Sequence, residues 1–246
     1  MTSGKIDLLA TASTAIGVFL AWAIARELDP DHPGTASIAM VAATIFALLG
    51  PPATAVVGVL LIAIRILVGT VGVPLRPGDL LVLIAAAGYA GSRPEGWAAA
   101  GALVIAAAVA HRRRHRWLPT TLGGVALTMA VVVSPGASIG LAAPLPVALI
   151  AFAVVGAAVV GRPAAVASTT DVAGQPISAD RVTAGRATAA LVVIATGLLG
   201  VAAAALAPVF AALAGVTLRR PCGRSHARTS RPRLEIPSPA RTRRAF

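Results

Sequence analysis

Glu27, Asp29, Asp31 and His32 fall within six residues, in the stretch RELDPDHPG at positions 26–34. Three carboxylates and an imidazole so spaced are the residue types that bind a divalent cation, relay protons or pair with a buried base. Counted from Asp29, the stretch has Asp at positions one and three and Gly at six of a calcium loop. Position five is Pro33 and position twelve is Met40, where such a loop needs a bidentate Glu, so an EF-hand is excluded. A looser metal site from Glu27, Asp29, Asp31 and His32 competes with a simpler reading. In that reading Asp29-Pro30 opens a turn, Pro33-Gly34 continues it, and Thr35 caps the next helix. The simpler reading is preferred, and no metal or cofactor is expected.

Arg65 is the residue most out of place. It lies near the middle of the apolar block Ala53–Val73. An arginine at the centre of a bilayer costs about 2.5–3.5 kcal/mol on insertion scales, and it cannot shed its proton to escape that cost. Such a residue faces a bundle interior and finds a partner. If the flanking blocks cross a membrane, Glu27, Asp29, Asp31 and Asp79 lie on the side nearest Arg65, with Asp79 favoured by sequence proximity. The expected polar cluster is Arg65, Asp79, Glu27, Asp29, Asp31 and His32.

Other chemical signatures fail on context. The segment GASIG at 136–140 matches the nucleophile-elbow pattern around Ser138. It sits between two apolar blocks with no strand before it, and none of the four histidines lies inside an apolar block. No phosphate-cradling G-x-x-x-x-G-K-[ST] occurs, nor does a paired-aspartate motif of membrane transferases. No catalytic residue is assigned. The single cysteine, Cys222, excludes an internal disulfide.

The elements that must carry these residues follow from composition. The chain is 57% hydrophobic and 12% charged, with mean hydropathy +0.84. Soluble domains carry about 25% charged residues, so lipid is the solvent that fits. Eight apolar blocks can be read: Leu8–Ala25, Ala36–Leu49, Ala53–Val73, Leu80–Ala90, Trp97–Ala110, Leu118–Val133, Ile139–Val160 and Ala187–Leu218. A span needs about 17–25 residues. Leu80–Ala90 is short of this, and Ala187–Leu218 is too long unless it tilts, protrudes or breaks near Pro208. The first 25 residues resemble a signal peptide, with Lys5 and Ala21-Trp22-Ala23. Asp7 and the blocks that follow favour a retained span.

The expected fold is an all-α polytopic integral membrane helix bundle of about seven to eight transmembrane segments, six at the least. Its domain runs over 1–218, with a flexible loop at 161–186. Residues 219–246 form a disordered basic tail. The cluster HRRRHR at 111–116 marks the cytoplasmic side. Arg162, Arg181 and Arg186 fall on that same side. The tail, with nine of the 21 basic residues, does so only if the last block doubles back. Small residues Ser13, Gly17, Ala21 and Ala25, and again Ala203, Ala207, Ala211 and Gly215, repeat every four residues, as at close helix contacts in lipid.

The net charge of +12 fits bases flanking spans and implies no nucleic acid. The expected partners are the lipid bilayer, anionic lipid headgroups at the tail, and a membrane protein partner or a second copy. A multi-pass protein of the cell membrane follows, as a non-catalytic subunit, scaffold or sensor-like input domain. The alternative is a small transporter or channel for an anion or protons, using Arg65 and the acidic loop at 27–32.

Overall fold

A computed structural model describes residues 8–70, 77–93, 96–112, 166–198 and 203–218. These residues are helical, apart from short connections and one isolated β-bridge between Thr169 and Pro176. Seven α-helices occur among them: α1 (Leu8–Leu28), α2 (Pro33–Phe46), α3 (Thr54–Val68), α4 (Pro77–Gly91), α5 (Trp97–Arg112), α6 (Ala179–Leu198) and α7 (Ala207–Leu218). The all-α class therefore holds. One described helix, α1, is long and apolar enough to cross a membrane. The blocks Leu118–Val133 and Ile139–Val160, Ser138 with its GASIG segment, and the tail lie outside the described residues.

Helix limits follow local chemistry. α1 runs unbroken through Ala21-Trp22-Ala23 and closes where Asp29 N–H donates to Ala25 O. Pro30 then disfavours a helical residue before it. α2 opens on Pro33, whose missing N–H costs nothing at a helix start. Its N-cap is His32, not Thr35, and no side chain caps it. Pro51-Pro52 precede α3, which ends on Gly69 in the left-handed region (φ 74°), with Gly69 N–H donating to Arg65 O.

The chain direction can be followed from contacts at the two ends. At one end, Ser13 Oγ donates to Pro52 O, Ala53 N–H donates to Ala205 O, and Gly17 abuts Pro52 and Pro208. At the other, Gly215 meets Thr35 and Ala39, and Gly185 meets Val68, Ile64 and Leu28. So α1, α3 and α7 run one way, and α2 and α6 run the other. The long block Ala187–Leu218 is thus two antiparallel helices. Among the described residues α6 runs to Leu198, a 3-10 turn occupies Ala203–Leu206, and Pro208 sits in the first turn of α7. Six of the eight residues in the two small-residue stripes are buried between helices, and Ser13 is half-buried. Ala21, Ala25 and Ala211 are fully buried, and Gly17, Ala207 and Gly215 are buried with them.

Candidate functional site: a polar cluster at one end of the bundle

The short turn after α1, the end of α3, residues 166–178 and the start of α6 meet at one end of the bundle. There the structure assembles most of the expected polar cluster, with different pairings. Arg65 Nε lies 2.9 Å from Glu27 Oε1, and its Nη2 lies 3.8 Å from Asp171 Oδ2. The carboxylate closest in space is Glu27, not the favoured Asp79, which is exposed in the first turn of α4. The reason is directional. Helical side chains lean toward their own N-terminus. α1 and α3 run the same way, so a base in the last turn of one meets an acid in the last turn of the other. Asp79 opens a new helix and gains nothing from being near in sequence.

The depth of Arg65 also differs from expectation. α3 stops at Val68, so Arg65 occupies the last turn of a 15-residue helix instead of the middle of a span. Its side chain is 44% exposed. A cation at that position complements the partial negative charge of the helix C-terminus. Glu27, an acid in the last turn of α1, is disfavoured by the same effect, and Arg65 offsets it.

Asp29 faces a second basic residue. Its Oδ1 lies 3.6 Å from Arg186 Nη2 and 2.8 Å from His32 Nδ1, and its Oδ2 accepts the Thr35 hydroxyl at 2.7 Å. Arg186 is buried and donates through Nε to Leu28 O at 2.7 Å. It thereby satisfies a carbonyl that the end of α1 leaves without a helical partner. Arg181, one turn earlier, lies over Gly69, where any side chain would collide with its guanidinium.

Asp31 points elsewhere again and clasps the connection that leads into α6. Its carboxylate accepts Ala167 N–H at 2.9 Å, Ser168 N–H at 2.8 Å and Ser168 Oγ at 2.7 Å. Within this segment Thr169 bridges Pro176, and Asp171 N–H donates to Thr70 O at 2.8 Å. The stretch expected as a flexible loop over 161–186 therefore holds a bridged turn docked by Asp31, and α6 begins inside it at Ala179. Partial burial pushes the Asp31 carboxyl upward. The Ser168 hydroxyl and the Ala167 and Ser168 N–H groups outweigh that push and hold it below its ordinary value near 3.8.

A carboxyl held low in the folded state adds stability above its unfolded value, and that stability is lost as pH falls through the folded value. The Asp31 contribution to docking of 166–178 is expected to be lost only below about pH 3.8. Asp31→Ala should undock it at every pH, at a cost of about 1–2 kcal/mol given partial exposure. Limited proteolysis within 166–178 reads this as roughly ten-fold faster cleavage. Unchanged cleavage would remove Asp31 from the role.

The four residues of the acidic stretch thus diverge. Glu27 turns to Arg65, Asp29 to Arg186, Thr35 and His32, and Asp31 to Ala167 and Ser168. Among the described residues no group of three or more His, Cys, Asp or Glu could hold a metal ion. Sequence reasoning did not pick out Arg186, Asp171, Ser168 and Thr70, which complete the cluster. Arg186 carries a usable signal, as a base inside a helix-forming stretch, beyond its value as a marker of membrane side. Comparison with known protein families, curated proteins and solved structures finds no match.

Proposed function

We propose that the chain is a polytopic, non-catalytic membrane module whose helices are tied together at the cytoplasmic face by the polar cluster. The observation that carries this reading is the separation of chemistry along the bundle. Glu27, Asp29, Asp31, Arg65 and Arg186 engage each other or backbone at one end. The outward faces of the helices are apolar, with Phe19, Trp22, Val41, Ile45, Leu81, Val82, Ile105 and Leu191 exposed. Exposed apolar surface on this scale marks contact with lipid or a partner.

The helix directions support the same reading. If α4, α5 and the two blocks between 112 and 166 each cross, the polar end holds positions 26, 65, 76, 112–116, 162–186 and 219–244. Of the 21 Lys and Arg residues, only Lys5 and Arg93 then fall on the opposite side. That is the asymmetry of a cytoplasmic face, and splitting the last block brings the tail into agreement with HRRRHR. The spans are short. α2 with its 3-10 turn covers 17 residues, about 27 Å at the usual rises, near the roughly 30 Å of a bilayer core.

Arg65 sits at a helix end with a carboxylate already bound, which leaves a transport reading without a mid-membrane charge among the described residues. The test is reconstitution. The protein is expected to stay in the membrane pellet through an alkaline carbonate wash, and to give liposomes no proton or anion flux above protein-free vesicles. A flux abolished by Arg65→Gln would replace this reading with transport.

A further inference from the structure

Glu27 is only 8% exposed and is held through one of its two oxygens. Oε1 accepts from Arg65; Oε2 is buried beside the Thr70 hydroxyl, which lies close enough to favour the carboxylate as a donor, though neither atom makes a hydrogen bond of standard geometry. A carboxylate so buried, with one oxygen weakly satisfied and a second carboxylate competing for its base, is costly to keep ionised. A metal cation is unsuitable here, because the guanidinium of Arg65 already lies against the carboxylate. A proton is suitable. On Oε2 it removes the buried charge and reverses the contact, so that the carboxyl donates toward Thr70 Oγ1 while Oε1 keeps its bond from Arg65.

Arg65 links this site to the docked segment. Its guanidinium lies between Glu27 on α1 and Asp171, a 68% exposed side chain on 166–178. The charged groups around Glu27 are Arg65, Asp171 and Arg26, while Arg181 over Gly69 and Asp29, His32 and Arg186 form the adjoining set. With Glu27 ionised, two carboxylates share one guanidinium and repel each other. With Glu27 neutral, Asp171 becomes the ionised partner of Arg65.

We propose that Glu27 is a proton-binding site whose occupancy tightens the docking of residues 166–178 through Arg65 and Asp171. The proton passes from hydronium at the polar end, one O–H bond breaking there as one forms on Oε2 and water is released; nothing is oxidised or reduced. The proposal rests on the membrane reading only in placing that end in water.

The test is hydrogen exchange of the 166–178 amides on the full chain in nanodiscs, corrected for the chemical exchange rate and run above the range in which Asp31 titrates. Protection is expected to rise by roughly two- to five-fold as pH falls, the effect of gaining one partly exposed ion pair. Glu27→Gln should hold the protected value at all pH. Asp171→Asn should lose the step yet keep the protonated-carboxyl infrared band of Glu27, a band that Glu27→Gln abolishes. If Glu27→Gln does not fold, the band and the step are followed in the unmodified chain and in Asp171→Asn. A pH step that survives in either variant overturns the proposal, as does a spectrum with no carboxyl band assignable to Glu27. Release of the unmodified chain by alkaline carbonate would instead overturn the membrane reading, so the two failures are separable.

Discussion

Replacing Arg186 with methionine should lower the thermal midpoint of the bundle by roughly 5–15 °C, from a loss of about 2–4 kcal/mol. The side chain is 6% exposed and faces Asp29, itself 14% exposed. Methionine fills comparable volume, so the loss comes from groups left behind: the Asp29 carboxylate without its base and Leu28 O without its donor. Asp29 keeps Thr35 and His32, which sets the figure below the full cost of breaking a buried pair. The double variant Arg186→Met/Asp29→Asn should recover part of the loss, because no charge is then stranded. Thermal denaturation in detergent with a double-mutant cycle measures both, and an additive cycle would show that the two residues do not interact.

Gly215→Val is the second large effect, and its origin is steric. A Cβ at Gly215 would lie 2.7 Å from Thr35 O and 3.3 Å from Ala39 N, both backbone atoms of α2. Backbone cannot rotate aside, so α2 and α7 must separate along a face where Ala39, Ala43, Ala211 and Ala212 are buried. Overpacking of this kind costs about 1–3 kcal/mol or more. Gly58 on α3 is the control, since nothing lies within 4 Å of a Cβ there. Gly58→Ala should be neutral or stabilising by up to about 1 kcal/mol. Equal effects at the two glycines would mean that α2 and α7 do not pack in this way.

Apolar runs sufficed to read helices at α1, α2 and α5, and at α3 in spite of Arg65. Their ends were less legible, because caps depend on backbone conformation. Val71 and Val73 extend the apolar run past Gly69, yet the left-handed Gly69 ends α3 at Val68, and this moves Arg65 from mid-span to a terminal turn. The last block showed the opposite fault: nothing polar separates α6 from α7, so hydropathy alone runs them together, and only Pro208 hinted at the break. That Arg65 would find an acid followed from the cost of burying an unpaired base. Which acid it finds depends on the parallel course of α1 and α3, a tertiary fact with no local signature. The segment at 166–178 looked featureless because its order comes from Asp31, some 136 residues earlier in the chain.

The most direct measurement of the account is labelling of two cysteines by a membrane-impermeant maleimide in intact cells. One is the native Cys222, four residues beyond the end of α7. The other is Leu49→Cys in a Cys222→Ser background, an exposed position beside Gly50 at the opposite end of the bundle. Rapid labelling is expected at position 49, and none at Cys222 until the cells are permeabilised. Labelling of Cys222 in intact cells, or identical behaviour at the two positions, would contradict it.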